Sequence, residues 1–269
     1  MDSKVNEISF WRSLAVQLRV IDALLRREFI TRYGRYNIGF MWLFAEPMMF
    51  TIGVTVLWRY IHHAGHSTFH EVTIVSFVIT GYSQVMLWRN ATARCANAIE
   101  PNLGLLYHRN VRVLDLMWAR IILEVAGATI SVIVLSSVGI ATGLMDPPAD
   151  ILMMAAGWLL LAWYAISVGL TVGALSEFSE TFSRLYHVFM YLYLPLSGSL
   201  YMVEWLPGQV QKYALWLPTV NASEMIHGGY YGNAVHSYYN PMYLILVNLV
   251  LMLFGLSLIN IASLRVEPQ

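Results

Sequence analysis

The chain has 269 residues, of which 58% are hydrophobic and 12% are charged, whereas soluble domains carry roughly 25% charged residues. Sixteen Lys and Arg residues balance sixteen Asp and Glu residues, so no strong net charge points to a nucleic-acid partner. The mean hydropathy of +0.57 instead indicates an integral membrane protein. The single cysteine, Cys95, excludes an intramolecular disulfide and a CxxC metal or redox motif.

Residues 1–37 are predicted to form a cytoplasmic segment that contains an amphipathic helix lying in the membrane interface. Apolar residues recur there at steps of three and four, whereas Arg12, Arg19 and Arg26 recur every seven residues on another face. Helices of this kind usually anchor a chain, because their arginines reach the lipid headgroups. A sliding helix beside a lateral substrate gate is the alternative interpretation.

Six apolar stretches follow, and we predict that each crosses a hydrocarbon core of ~30 Å as a helix. The second stretch is short, and Pro195 and Gly198 interrupt the fifth. The expected fold is therefore an all-α integral membrane protein with six transmembrane helices, and residues 38–269 form its transmembrane domain. The stretches are 38–60, 72–88, 117–144, 149–175, 185–203 and 242–263.

Positive charge is distributed very unevenly between the two sides of this six-span arrangement. Of the sixteen Lys and Arg residues, only Arg59 and Lys212 fall in the loops on one side. Cytoplasmic loops carry the excess of Lys and Arg, so both termini are expected in the cytoplasm.

The stretch between the second and third spans is too polar to cross a membrane. Residues 100–102 read Glu-Pro-Asn and would break a short helix, and residues 103–107 offer an apolar patch. We interpret residues 94–112, called the docking segment below, as a cytoplasmic element that binds a partner. A solvated charged loop remains the alternative, since runs of charge are usually that.

The segment between the fifth and sixth spans, residues 204–241, is rich in tryptophan and tyrosine. Asn221 with Glu224 three residues later resembles a capping box that opens a helix, and Gly228-Gly229 is expected to close it. We predict two short helices that re-enter the outer leaflet and form a vestibule or gate. An aromatic belt at the level of the lipid headgroups is the competing interpretation.

No energy source or catalytic site is evident in the sequence. The only lysines, Lys4 and Lys212, stand outside any phosphate-binding loop, so ATP-driven transport would require a separate ATPase. Nucleophile elbows, zincin motifs and paired carboxylates are also absent, which argues against a membrane enzyme acting on lipid-linked sugar. Four outer histidines could bind a metal ion, although we predict no metal site: His62, His63, His66 and His70.

Two glutamates, Glu46 and Glu124, fall within apolar spans, where ionisable side chains are costly and often functional. A proton-coupled carrier could use both. No second carboxylate or histidine chain accompanies either one along its span, so structural pairing with Arg94 or Arg120 is favoured.

Polar and aromatic stripes follow helical spacing in two of the spans. One stripe consists of Ser76, Thr80, Ser83, Gln84 and Leu87, and the other consists of Tyr186, Met190, Tyr193, Ser197 and Tyr201. Such faces more often pack against other helices than line a path for a ligand. Hydroxyl and aromatic side chains are nevertheless the groups expected along a pore for a long glycan.

Three segments in order resemble the permease subunits of ABC-2-class exporters of capsular polysaccharide in Gram-negative bacteria. Residues 25–47 read LRREFITRYGRYNIGFMWLFAEP and are similar to the family's entrance to its first span. Residues 98–105 read AIEPNLGL and resemble its cytoplasmic coupling segment. Residues 215–224, which begin LWLP, resemble its outer re-entrant helices.

This resemblance implies a homodimeric channel that extrudes lipid-linked polysaccharide across the bacterial inner membrane. Two copies of a separate nucleotide-binding subunit would bind ATP and Mg and hydrolyse the ATP. This chain would then need no cofactor of its own. A periplasmic co-polymerase-type adaptor and an outer-membrane polysaccharide export protein would be further partners. Export of O-antigen or teichoic-acid-type glycans by the same architecture is a related alternative.

The resemblance and the stripes together predict four groups of site residues. The ATPase coupling group is Glu100, Pro101, Asn102, Arg109, Glu177, Glu180 and Arg184, and the lipid-phosphate gate is Arg32 and Arg35. The glycan channel would be lined by Trp42, Ser76, Thr80, Ser83, Tyr186, Tyr193 and Tyr201, and the outer gate would contain Trp205, Trp216 and Glu224.

Overall fold

The structure, a computed structural model, describes residues 10–34, 39–61, 68–69, 72–106 and 111–266. Within these ranges the regular secondary structure is helical apart from one antiparallel pair of two-residue strands, β1 Thr68–Phe69 and β2 Val72–Thr73. Several residues of the predicted sites lie outside the described residues: Arg35, Arg109, His62, His63, His66 and His70.

The helices of the described residues follow the predicted apolar stretches and add short helices between them. Their bounds are α1 Phe10–Tyr33, α2 Gly39–Ile61, α3 Ile74–Ala96, α4 Leu103–Leu106, α5 Val113–Ala141, α6 Ile151–Phe178, α7 Glu180–Tyr193, α8 Gly208–Ala214, α9 Pro218–Tyr231 and α10 Pro241–Val266. Turns of 3₁₀-helix occur at Glu100–Asn102, Leu194–Leu196, Val203–Trp205 and Gly232–Ala234.

The all-helical fold class agrees with the prediction, whereas the number of membrane spans stays a prediction. Among the described residues, three helices are long and apolar enough to cross a bilayer: Val113–Ala141, Ile151–Phe178 and Pro241–Arg265. Each of the other predicted spans contains a helix, but α7 has only 14 residues. It ends immediately before a 3₁₀ turn that contains Pro195. A proline inside a helix removes a backbone hydrogen bond and often ends the helix.

The helices pack around α6, which contacts α3, α9 and α10. Trp158, Leu161 and Ala165 of α6 are buried in the largest apolar cluster. The N-terminal helix α1 packs on α5, where its buried Leu24 belongs to a second cluster, while Trp11 is exposed. Helix α1 thus packs on α5 through part of its surface, and its place in the membrane interface stays a prediction.

Two short helices, α8 and α9, occur in the aromatic outer segment, but the predicted boundaries of α9 were wrong. The helix begins at Pro218, a residue favoured in the first turn, so Asn221 lies inside it. Gly228 and Gly229 also lie within α9 and do not end it. Their lack of a Cβ allows α9 to pack closely on α6. A Cβ at Gly229 would lie 2.5 Å from the backbone nitrogen of Met154.

Candidate functional site

Two segments predicted to contact an ATPase lie side by side in the structure. The end of α3 and the turn before α4 face the junction of α6 and α7 across a cavity of about 420 Å³. This cavity between residues 96–103 and 173–184, called the docking groove below, is lined by Glu100 on one side and by Glu177, Glu180 and Arg184 on the other. The sequence predicted two separate contacts with the ATPase, and the structure places both of them around one cavity.

The docking groove is acidic. Three carboxylates line it, from Glu100, Glu177 and Glu180, and the only guanidinium that lines it within the described chain is that of Arg184. Arg184 pairs with Glu180 at 2.6 Å, and both side chains are largely exposed, so this surface pair contributes little stability. An acidic surface of this kind attracts basic side chains of a partner and steers its approach.

The three residues of the Glu-Pro-Asn turn have different environments. Glu100 and Pro101 are exposed, whereas the side chain of Asn102 is buried at 5% exposure. Its amide donates a hydrogen bond to the carbonyl oxygen of Ala98 at 2.9 Å, and its Oδ1 accepts one from Arg27 of α1 at 2.8 Å. Asn102 therefore shapes the turn from within, and Glu100 with Pro101 forms its accessible surface.

A second cavity of about 500 Å³ lies at the end of α3 that leads into the docking segment. Arg89, Arg94 and Arg120 line it together with Glu28 and Glu46. Glu46, one of the two glutamates of the carrier alternative, thus lines the same cavity as three arginines.

The structure provides the arginine partner expected for Glu124. Nε of Arg94 donates to Oε1 of Glu124 at 3.1 Å, and the Glu124 side chain is 9% exposed. The expected pairing with Arg94 is therefore confirmed, as is usual for a buried carboxylate, and the role of Glu124 stays a prediction.

The predicted lipid-phosphate gate lies mostly beyond what the structure describes. Arg32 belongs to the last turn of α1, and its side chain is outside the described part, as is Arg35 altogether. Their role stays a prediction.

Most of the predicted channel residues are buried among the helices. Ser76, Thr80 and Ser83 are at most 3% exposed, and Tyr186 and Tyr193 are 9% exposed. By contrast, Trp42 on α2 is 49% exposed, and Tyr201 is partly exposed. This arrangement favours helix packing for the buried stripes in the conformation observed.

The buried stripes take part in contacts between helices. The hydroxyl of Ser76 bonds that of Tyr231 at 2.9 Å. The hydroxyl of Tyr193 bonds that of Thr219 at 2.8 Å, and its ring meets Trp88 edge-on at 5.4 Å between centroids. The two stripes thus hold α3 and α7 against each other and against α9.

A polar cluster joins α3 to α9, and the sequence pattern indicated only its α3 member, Gln84, within the stripe of the second span. Gln84 of α3 accepts a hydrogen bond from Ser223, and its amide nitrogen lies 3.5 Å from Nε2 of His227. Burial lowers the pKa of His227 to about 4, so the ring is neutral at physiological pH. Thr219, Ser223 and His227 are spaced four residues apart, which was the available signal for one polar face of α9.

The predicted outer-gate residues have three different environments. Glu224 is 2% exposed. Its carboxylate accepts hydrogen bonds at 2.8 Å from the backbone N–H groups of both Val203 and Tyr238. Trp205 packs on Phe77 of α3 at 5.0 Å between centroids. Glu224 therefore ties α9 to the segments before and after the two short helices.

Asn221 makes the same kind of connection one turn earlier in α9. Its amide donates to the carbonyl oxygen of Leu215 at 2.6 Å, and its Oδ1 accepts from the backbone N–H of Asn240 at 2.9 Å. Asn221 and Glu224 together are called the outer latch below. Beside the latch, the largely exposed Trp216 and three tyrosines line a cavity of about 720 Å³.

Comparison with known proteins identifies relatives over almost the whole chain. A family model described as ABC-2 type transporter matches residues 19–231. The capsule polysaccharide export inner-membrane protein of Neisseria meningitidis serogroup B is 48% identical over 265 residues, which cover 98% of this chain and 99% of the relative. A protein of the same description from Haemophilus influenzae is 42% identical over 264 residues and covers 98% of each chain.

A more distant relative is the polysialic acid transport protein of Escherichia coli. It is 26% identical over 246 residues, which cover 90% of this chain and 93% of the relative. The family model covers well over half of the chain, and the nearer relatives are well above 30% identical. The chain therefore belongs to the ABC-2 type transporter family, together with the capsule polysaccharide export inner-membrane proteins.

Proposed function

We propose that this chain is the transmembrane channel subunit of an ATP-driven exporter that moves lipid-linked capsular polysaccharide across the bacterial inner membrane. The docking groove is the observation that carries the proposal, because it joins both predicted coupling segments in one accessible acidic surface. Family membership implies a partner ATPase, and the sequence contains no phosphate-binding loop. The names of the nearer relatives support capsular polysaccharide as the substrate.

The proposed assembly contains two copies of this chain and two ATPase subunits that bind ATP and Mg. The termini lie in the cytoplasm, on the same side as the docking groove, which is where the ATPases bind. A periplasmic co-polymerase-type adaptor and an outer-membrane export protein continue the path of the glycan. The exposed apolar side chains of α2 and α7, among them Phe50, Leu57, Val188 and Leu192, suit contact with lipid or with the second copy.

The proposed cycle moves the glycan from the cytoplasmic side to the outer latch. Arg32 and Arg35 contact the lipid phosphate at the cytoplasmic gate, since arginine pairs well with phosphate oxygens. Trp42 is already accessible on α2. The buried stripes of α3 and α7 join the channel lining only after these helices separate, and Trp205, Trp216 and Glu224 close its outer end.

The first experiment is affinity purification of the chain from detergent-solubilised native membranes. Recovery of a Walker-motif ATPase at equal stoichiometry is the expected result. Recovery of a stable chain without any nucleotide-binding partner would contradict the exporter assignment and favour a carrier or an enzyme.

Substitution Glu100→Ala tests the docking groove directly. Loss of this exposed carboxylate should reduce export while the ATPase subunit continues to hydrolyse ATP and the channel assembly remains intact. The matched control is Asp146→Ala, because Asp146 is also exposed but lies in the loop between α5 and α6, far along the chain from either coupling segment. Unchanged export in the Glu100 variant would refute its coupling role.

A proton-coupled carrier makes the opposite prediction for the two membrane glutamates. Glu46→Gln and Glu124→Gln should each abolish transport by a carrier. In the proposed exporter, transport persists in both variants when the ATPase partner is present. Loss of transport from correctly folded protein in both variants would overturn the exporter mechanism.

A further inference from the structure

Three polar contacts join the N-terminal helix α1 to the docking segment and to the beginning of α5. The amide of Gln17 donates to the carboxylate of Asp115 near the start of α5. Arg27 donates to Asn102 at 2.8 Å, and Nε of Arg120 lies 3.3 Å from Oε1 of Glu28. The contacts are spread along α1 over three turns, so they fix both its position and its rotation.

The contact of Arg27 with Asn102 reaches the core of the Glu-Pro-Asn turn. Because Asn102 is buried and also bonds the carbonyl oxygen of Ala98, its side chain moves only with the turn. The guanidinium of Arg27 supplies a charge-assisted hydrogen bond, which is stronger than a neutral one. Force applied to the accessible Glu100 and Pro101 is therefore passed to α1 through one side-chain contact.

Arg120 makes the second connection and reaches three elements. Its Nη1 donates to the carbonyl oxygens of Arg94 and Asn97 at 3.0 and 2.5 Å, where α3 ends and positive charge is favourable. Its Nε faces Glu28 of α1, and both side chains are less than 15% exposed. A planar guanidinium with several donors can bridge these groups, whereas a lysine ammonium lacks that geometry.

Apolar contacts beside these polar groups also hold α1 firmly against α5. Leu24 of α1 is buried at 7% exposure, and Leu25 and Phe29 pack on the buried Leu123 of α5. Close-packed contacts transmit displacement with little compression. The helix α1, the first turns of α5 and the docking segment therefore form one mechanical unit.

We propose that Arg27, Glu28 and Arg120 are positioning residues that make α1 move together with the docking segment when the partner ATPase binds or hydrolyses ATP. The inference rests on the proposed function, and it adds residues that do not themselves contact the ATPase or the glycan. Through these contacts, nucleotide-driven motion at Glu100 and Pro101 displaces the amphipathic helix beside the cytoplasmic gate.

The test compares Arg27→Ala with Arg26→Ala in the complex with its ATPase. The two arginines are neighbours on α1 and both are exposed, but Arg26 pairs with Asp22 within the same helix. The measured quantity is the amount of glycan exported per ATP hydrolysed. We expect a roughly tenfold fall for Arg27→Ala, as for loss of one hydrogen bond to a charged group, and no comparable fall for Arg26→Ala.

Two further measurements separate positioning from a merely structural role. The recovery of the ATPase should stay at its wild-type value in Arg27→Ala, and the melting temperature should fall by only a few degrees, because a single hydrogen bond to the buried Asn102 is lost. The double variant Arg27→Ala with Asn102→Ala should export no worse than Asn102→Ala alone, because both changes break the same contact. Additive losses would contradict the contact as the route of coupling.

The outcomes also distinguish this inference from the proposed function. If the wild-type chain recovers no ATPase and exports no glycan, the proposed function itself fails. If the wild-type complex is active and Arg27→Ala matches it, only the coupling through α1 is wrong. Equal losses in Arg26→Ala and Arg27→Ala would instead assign both arginines to headgroup binding and overturn the proposal.

Discussion

Ionisation of Glu224 in the outer latch is expected to make the stability of the fold depend on pH. Burial raises the pKa of this carboxyl from 4.5 to about 7. The backbone N–H groups of Tyr238 and Val203 counteract burial, and the negative charge of Glu204 adds to it. Glu224 thus changes its charge near neutral pH in the folded protein and near pH 4.5 when the chain is unfolded.

The sign of the effect follows from proton linkage. The folded state binds the proton of Glu224 more tightly than the unfolded state, so protonation stabilises the fold. The contribution is fully present below pH 4.5 and is lost as the pH rises through about 7. The difference between these pKa values corresponds to roughly 3 kcal/mol of unfolding free energy, or about 6 to 12 °C in melting temperature for a chain of this size.

Thermal melting of the detergent-purified protein at pH 5 and pH 8 measures this contribution. The variant Glu224→Gln cannot ionise, so the wild-type melting temperature should fall relative to the variant as the pH rises. In Glu204→Gln, removal of the neighbouring charge should shift the fall to lower pH. Parallel melting temperatures of the wild type and Glu224→Gln between pH 5 and 8 would refute the reasoning.

Three other predictions concern packing inside the helical bundle. Gly81→Ala should lower the melting temperature, because a Cβ there would overlap a carbonyl oxygen of the turn after α7 and overpacking costs about 1–3 kcal/mol. The control Gly53→Ala should not lower it, because a Cβ at Gly53 would meet nothing within 4 Å. Tyr193→Phe loses the hydrogen bond to Thr219 and should cost about 1 kcal/mol while retaining export. Cys95 is 0% exposed, so a maleimide should label it only after denaturation, and rapid labelling of folded protein would contradict the packing.

The helices could be predicted because long apolar runs and regular spacing are local properties of the sequence. A long helix before the first apolar stretch and a turn at Glu-Pro-Asn both occur in the structure where the sequence indicated them. The docking groove could not be predicted in the same way. The turn at Glu100 faces Glu177 and Glu180 because α3 packs on α6. No local pattern in the sequence indicates this proximity.

Side chains with several possible partners are harder to assign from the sequence. The amide of Asn221 is suited to cap a helix, but in the structure it bonds Leu215 and Asn240, because Pro218 already begins α9. The stripe containing Thr80 gives a similar lesson. Its hydroxyl donates to the carbonyl oxygen of Ser76 in its own helix at 2.7 Å, so polar spacing alone does not reveal a ligand path.

The shortness of α7 has a consequence for the surrounding lipid. Fourteen residues extend about 21 Å at 1.5 Å per residue, which is less than the ~30 Å of a typical hydrocarbon core. If the backbone after Tyr193 lies within the bilayer, protein must cover its polar groups. The turn after α7 contacts α3 near Gly81 and α9 near Val220, and these contacts supply part of the cover. If α7 forms the predicted fifth span, the remaining hydrophobic mismatch favours local thinning of the membrane, and activity reconstituted in bilayers of increasing acyl-chain length should then decline.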